Sequence, residues 1–173
     1  MSHRKPVILV TGCSSGIGLA LIQQLKERLD DYRVVATART SSLPKIAKAG
    51  IAPSEDLRLR PLDVTSNEER TTLISEIERD WGGVDILINN AGISYRSVVE
   101  HLTEEDEQHQ FSTNYFGPTH LIRLCLPEMR NRRAARMINV SSAGGRMAMP
   151  TSGAYSASTY ALEGISEALY YEM

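Results

Sequence analysis

The sequence lacks the features that typify membrane-spanning, secreted or nucleic-acid-binding proteins. No apolar run approaches the about 20 residues that cross a bilayer, and two cysteines are too few for a disulfide framework. A formal net charge of -2 gives no basic surface for nucleic acid. We therefore predict a cytoplasmic protein in a reducing compartment, with no membrane segment, no nucleic-acid partner and no metal site.

The chain also lacks internal repeats and low-complexity linkers, so its 173 residues are predicted to form one domain, 1–173. Apolar runs alternate with segments of helical spacing. The predicted strands are 7–10, 34–38, 57–62, 84–88 and 136–140, and the predicted helices are 17–29, 42–49, 68–81, 106–129 and 152–173. This alternation predicts an α/β fold of the Rossmann type, a doubly wound parallel sheet in three α/β/α layers.

A glycine-rich turn joins the first strand to the first helix. Gly12 permits a tight turn, Gly16 lets the backbone approach a pyrophosphate, and Gly18 lets the helix pack close to the sheet. Free N–H groups and the dipole at the helix start favour an anion. This placement favours dinucleotide binding over an unliganded turn. The predicted cofactor-binding residues of the turn are Thr11, Gly12, Cys13, Ser14, Ser15, Gly16, Ile17 and Gly18.

The turn has the form Thr-Gly-x-x-x-Gly-x-Gly, and here the sequence resembles the short-chain dehydrogenase/reductase family. The likeness continues along the chain and is greatest to hydroxysteroid and retinol dehydrogenases. It implies that Asp63 contacts the adenine and that Asn89 braces the central sheet beside backbone that lines the cofactor. The resemblance thus extends the predicted cofactor site to Asp63, Val64, Asn89, Ala91 and Gly92.

The resemblance also implies a catalytic group made of Asn114, Ser142 and Tyr155. Tyr155 would act as the acid/base and also contact the cofactor, and Ser142 would hydrogen-bond the substrate oxygen. Ser141 is the neighbouring alternative. Because strand alternation points the two serines to opposite faces, only one of them can serve. The spacing to Tyr155 favours Ser142.

One residue departs from the family pattern, in which a lysine follows the tyrosine by one helical turn. That lysine favours the ionised form of the tyrosine, whose free pKa is about 10. Thr159 occupies its position here. Losing acid/base assistance commonly costs about a hundred- to ten-thousand-fold in rate. Three interpretations stay open: an inactivating substitution, a cofactor-binding pseudoenzyme, or a cation that enters the site from elsewhere.

The end of the second strand bears on the choice of cofactor. An acidic residue there would bind the ribose diol of NAD, but this sequence has Ala38 followed by Arg39. A guanidinium suits a 2′-phosphate because it can form paired, charged hydrogen bonds. We therefore predict that NADP(H) is preferred and that NAD(H) remains possible.

The sequence indicates the substrate and the partners through fewer residues than the cofactor. Met147 and Met149 near the site suit an apolar substrate or serve as packing. The resemblance favours a lipophilic alcohol or ketone as the small-molecule substrate, and reduction of a simple aldehyde or ketone stays open. It also implies two further strands and a substrate-covering loop after the Tyr155 helix. We therefore expect a truncated domain with its fifth strand at the sheet edge. A homodimer is a further expectation. The positions that could form its interface, or could instead face the sheet, are Leu121, Leu124, Ala161, Ile165 and Leu169.

Overall fold

The computed structural model describes residues 4–132 and 135–173. Its centre is a sheet of five parallel strands in the order β3-β2-β1-β4-β5. Successive strands are added toward one edge from β1 to β3 and toward the other edge from β4 to β5, as in doubly wound folds, so the predicted architecture is confirmed. The strands are β1 Val7–Val10, β2 Arg33–Ala38, β3 Leu57–Pro61, β4 Ile86–Asn89 and β5 Arg136–Asn139.

Helices cover both faces of the sheet. Strand β1 is buried along its whole length because Val7 and Leu9 join one apolar cluster while Ile8 and Val10 join the other. This explains why the strand has an unbroken apolar sequence. No helix in the described part of the chain has the length and apolarity needed to cross a membrane. The helices are α1 Gly16–Leu25, α2 Leu43–Lys48, α3 Asn67–Trp81, α4 Glu104–Phe111, α5 Gly117–Arg132 and α6 Gly153–Glu172.

The prediction of one continuous α-helix over 106–129 is wrong, because the helix is interrupted. Thr103 caps its start, since its side chain accepts a hydrogen bond from the Asp106 N–H. However, a π-helical segment, Ser112–Phe116, separates α4 from α5. A wider turn of this kind shifts the register of the side chains, and it is frequent at functional sites. Apolar spacing cannot reveal it, because the residues on either side keep helical periodicity.

Strand β5 forms one end of the sheet, as predicted. Its burial alternates, and Ile138 is 47% exposed. Of the five positions considered for a dimer interface, Leu121 and Leu169 lie in the apolar core. The remaining three are half-buried, so the predicted homodimer stays a prediction.

An ion-pair cluster ties the starts of β1 and β4 to the end of α5. Asp85 accepts hydrogen bonds from the Val7 N–H (2.7 Å), from Arg4 Nη2 (2.6 Å to each oxygen) and from Arg132 Nη1 (3.0 Å). Its side chain is only 14% exposed. The partners are distant in sequence, so local patterns did not reveal the cluster.

We predict that Asp85→Ala lowers the free energy of unfolding by about 3 kcal/mol, because it leaves Arg4 and Arg132 close together without their shared carboxylate. Urea unfolding followed by circular dichroism measures the change. Asp31→Ala is the control: this carboxylate pairs with Arg28 but is 56% exposed, so the loss should stay within about 1 kcal/mol. Equal losses in the two variants would contradict a structural role for the cluster.

Candidate active site

A cleft of about 480 Å³ lies at the carboxyl ends of the strands. Residues that follow all five strands line it, and this is the edge at which doubly wound sheets bind ligands. The structure brings most of the predicted site together there. The predicted residues that line the cleft are Gly12, Ser14, Ser15, Ile17, Arg39, Asp63, Val64, Asn89, Ala91, Gly92, Asn114, Tyr155 and Thr159. Those outside its lining are Thr11, Cys13, Gly16, Gly18 and Ser142.

The glycine turn is shaped mainly by the protein's own packing. A Cβ on Gly12 (φ +73°) would lie 2.7 Å from the Ala91 Cα, and one on Gly18 would lie 2.5 Å from the Gly12 carbonyl oxygen. Gly16 differs, because it has a positive φ of +56° but a Cβ there would meet nothing within 4 Å. The turn therefore requires the first and third glycines for close backbone contact and the second for its backbone conformation.

The start of α1 suits a diphosphate group. Ser15 occupies the N-cap position but its side chain makes no capping hydrogen bond, and the first turn holds no acidic residue. The first N–H groups of a helix have no partner within the helix, and the dipole there favours negative charge. Backbone donors at this corner thus fit the anion that the sequence predicts.

Thr11 lies beneath the cleft and joins the turn to the end of β4. Its Oγ1 accepts hydrogen bonds from the N–H groups of Asn90 (3.0 Å) and Ala91 (2.9 Å). In return, Asn90 Nδ2 donates to the carbonyl oxygens of Thr11 (2.9 Å) and Gly12 (3.1 Å). The sequence pattern does not reveal this role of Asn90, which lies between the predicted cofactor-site residues Asn89 and Ala91.

Cys13 is buried below the turn. Its N–H donates to the Thr37 carbonyl (2.8 Å) and its Sγ to the Val10 carbonyl (3.3 Å). Burial raises the pKa of this thiol to about 12, which makes it a poor nucleophile. Its contacts hold β1 against β2.

Arg39 and Asp63 lie on the β2 and β3 side of the cleft. Burial raises the pKa of Asp63, but hydrogen bonds from Thr65 and the charges of Arg39 and His109 outweigh it and hold that pKa below its usual value. Asp63 is therefore an anion at neutral pH. Arg39 is exposed, and its guanidinium has no salt-bridge partner within the described residues.

Asn89 links the last strands to the Tyr155 helix. Its Nδ2 donates to Asn139 Oδ1 on β5 (2.9 Å), and Asn139 Nδ2 donates to Ser166 Oγ on α6 (2.8 Å). This relay of side chains fixes α6 against the sheet, and α6 is the helix that presents Tyr155 to the cleft.

Asn114 lies in the π-helical segment and is buried. Its side chain pairs with both backbone groups of Ile93, accepting from the N–H (2.9 Å) and donating to the carbonyl (2.9 Å). Its Nδ2 is also 3.4 Å from Ser158 Oγ, which donates to the Tyr155 carbonyl (2.8 Å). Asn114 therefore connects the segment after β4 with the helix that carries Tyr155.

The two candidate serines differ in environment. Ser142 Oγ accepts a hydrogen bond from the Gly144 N–H (3.1 Å) and caps a short 3₁₀ turn, Ala143–Gly145. A Cβ on Gly144 would lie 3.0 Å from the Tyr155 ring. Ser141 lines the cleft, and its buried Oγ has no hydrogen-bond partner among the described residues. The placement of Ser142 beside Tyr155 and the free hydroxyl of Ser141 keep both serines as candidates.

Thr159 provides no charge to the cleft. It is 4% exposed, and its hydroxyl is within donating distance of the carbonyls of Tyr155 (3.0 Å) and Ser156 (2.9 Å) in its own helix. In the described part of the chain, Arg39 and His109 are the lining residues that can carry positive charge, and both act on Asp63. Apart from Arg39 and His109, no described residue that lines the cleft supplies a cation.

Comparison with known proteins agrees with this geometry. The family model described as short chain dehydrogenase matches residues 6–173. The chain is 38% identical over 170 residues to a 3-ketodihydrosphingosine reductase of Bacteroides thetaiotaomicron, covering 96% of this chain and 58% of the relative. It is 38% identical over 175 residues to human retinol dehydrogenase 8, covering 98% of this chain and 54% of the relative.

Among solved structures, a short-chain dehydrogenase from Streptomyces avermitilis superposes with a TM-score of 0.89 at 35% identity, covering 99% of this chain and 61% of the other. The chain thus spans little more than half the length of the curated relatives it matches. The family predicted from the glycine turn is confirmed: this chain belongs to the short-chain dehydrogenase family.

Proposed function

We propose that the protein is an NADP(H)-dependent oxidoreductase that transfers hydride between the nicotinamide and a lipophilic alcohol or ketone, with catalysis impaired by Thr159. One observation carries the proposal. A single cleft joins the glycine turn, Arg39 and Tyr155, so a diphosphate site, a cation suited to a phosphate and an acid/base group share one ligand-sized space.

The strand order sets how a dinucleotide would lie. The pyrophosphate would meet the start of α1 above β1, because the uncapped N–H groups are there. Arg39 and Asp63, on the β2 and β3 side, would take the adenosine half. The segment after β4 and Tyr155 would then hold the nicotinamide half. The bound cofactor supplies the hydride donor or acceptor.

The protein's own residues would manage the substrate oxygen. Tyr155 would give or take its proton, and a hydroxyl from Ser142 or Ser141 would hydrogen-bond the same oxygen and fix its position. Asn114 would act indirectly by holding Ile93 and the Tyr155 helix in place.

Four exposed apolar side chains support the lipophilic substrate. Val98 (44% exposed) and Val99 (78%) lie in the segment that follows the cleft-lining Ser94, and Met147 (63%) and Met149 (58%) lie between the cleft-lining residues Ser141 and Tyr155. The Ser97 N–H donates to the Thr151 carbonyl and ties the two segments together. The reductase and the retinol dehydrogenase that this chain matches are named for 3-ketodihydrosphingosine and for retinol.

The second candidate is a protein that binds the nucleotide, or pairs with another subunit, without chemistry. The observation that favours it is the environment of Thr159, whose hydroxyl bonds to its own helix and leaves Tyr155 without a neighbouring cation. The two candidates share the cofactor site and differ in turnover.

We predict that Thr159→Lys raises kcat with NADPH and a long-chain aldehyde or ketone by about a hundred- to ten-thousand-fold, because an ammonium one turn from Tyr155 favours its ionised form. Turnover is followed by NADPH absorbance. Ala157→Lys, on the exposed side of the same helix, is the matched control and should leave kcat unchanged.

A Thr159→Lys protein that binds NADPH but gains no turnover with any carbonyl substrate would contradict the missing-lysine explanation and favour the second candidate. Adding Tyr155→Phe to an active Thr159→Lys protein should abolish the gain, since the phenol would carry the proton.

We further predict that Arg39→Ala weakens NADPH binding by about ten- to a hundred-fold, because charged hydrogen bonds to a phosphate contribute about 1.5–3 kcal/mol. NADH, which lacks the 2′-phosphate, should lose no more than about twofold. Fluorescence titration measures both cofactors. Arg28→Ala, an exposed arginine outside the cleft, serves as the control. An equal loss for NADPH and NADH would rule out a phosphate role for Arg39.

A further inference from the structure

The segment that follows β4 forms a wall of the cleft without belonging to a helix or strand. Gly92, Ile93 and Ser94 line the cleft, and residues 91–96 carry no regular structure. Backbone of this kind has polar groups that the sheet does not pair, and these need other partners if the segment is to keep one conformation.

Two side-chain amides, four residues apart on one helical stretch, provide those partners. Asn114 pairs with the N–H and the carbonyl of Ile93. Gln110 donates from Nε2 to the same Ile93 carbonyl (2.7 Å) and accepts at Oε1 from the Tyr95 N–H (2.9 Å). Together they bind three backbone groups of the wall with four hydrogen bonds.

Gln110 is unusual for its position. It is the buried residue of α4 and has 0% exposure, at a point where a surface helix ordinarily buries an apolar side chain. Burying an amide costs free energy unless its hydrogen bonds are satisfied, whereas a leucine would have no such cost. Both the nitrogen and the oxygen of the Gln110 amide form hydrogen bonds, and both bonds are to the cleft wall.

We infer that Gln110 is a positioning residue that works with Asn114 to hold residues 93–95 in the shape that receives the nicotinamide and the substrate. This inference rests on the proposed function, which assigns the β4 side of the cleft to the nicotinamide half. Within the site, Gln110 then acts on the nicotinamide half of the cofactor. The adenosine half depends on the glycine turn, Arg39 and Asp63.

The test compares a whole cofactor with its adenosine half. Gln110→Met keeps the length of the side chain and removes both hydrogen bonds to the wall. We predict that it weakens NADPH at least tenfold in fluorescence titration. Adenosine 2′,5′-bisphosphate, which lacks the nicotinamide half, should bind within twofold of wild type in calorimetry. Gln108→Met, on the exposed side of the same helix, is the matched control and should alter neither affinity.

The possible outcomes distinguish the positioning role of Gln110 from the proposed function on which it rests. Wild-type protein that does not bind NADPH would overturn the proposed function and the positioning role together. Wild-type binding with an unchanged Gln110→Met affinity would overturn the positioning role alone. Equal weakening of NADPH and adenosine 2′,5′-bisphosphate would indicate a general structural effect and would also overturn it.

A measurement on the unaltered chain covers the case in which Gln110→Met fails to fold. The Tyr95 N–H should exchange with deuterium at least tenfold more slowly than the Ser94 N–H, because the Gln110 side chain accepts from Tyr95 and no described residue accepts from Ser94. Equal exchange rates for the two amides would overturn the inference.

Discussion

The site depends on how closely the turn after β1 approaches the end of β4. Gly12 and Gly18 allow contacts that any side chain would block, and Thr11 and Asn90 join the two segments by four hydrogen bonds. This contact lies between β1 and β4, where the order of the strands in the sheet reverses, so it sets the middle of the cleft. The start of α1 is positioned on one side of it and the wall formed by residues 91–96 on the other.

The two halves of the cleft differ in completeness. The half near β2 and β3 combines an exposed guanidinium, an ionised carboxylate and an uncapped helix start. The half near α6 has Tyr155, the Asn114 contacts and two candidate serines, but a neutral Thr159 in place of a cation. The residues that favour an anion therefore lie apart from Thr159, which stands where the family pattern has a lysine.

Much of this could be predicted from sequence because it depends on neighbouring residues. The glycine spacing and the alternation of apolar runs with segments of helical spacing are local features, and they predicted the fold correctly. The π-helical segment could not be predicted, since a wider turn leaves the apolar spacing on both sides intact. Sequence patterns also did not predict the roles of Asp85, Asn90 and Gln110. Their hydrogen bonds join segments that come together only when the sheet forms.

The central claim is that the uncapped start of α1 grips the diphosphate of a dinucleotide. A crystal structure of the chain with NADP⁺ tests this most directly. We expect diphosphate oxygens within about 3.2 Å of backbone nitrogens in the first turn of α1, with the nicotinamide toward Tyr155. A dinucleotide bound elsewhere, or a first turn whose N–H groups bond to the protein's own atoms, would contradict it.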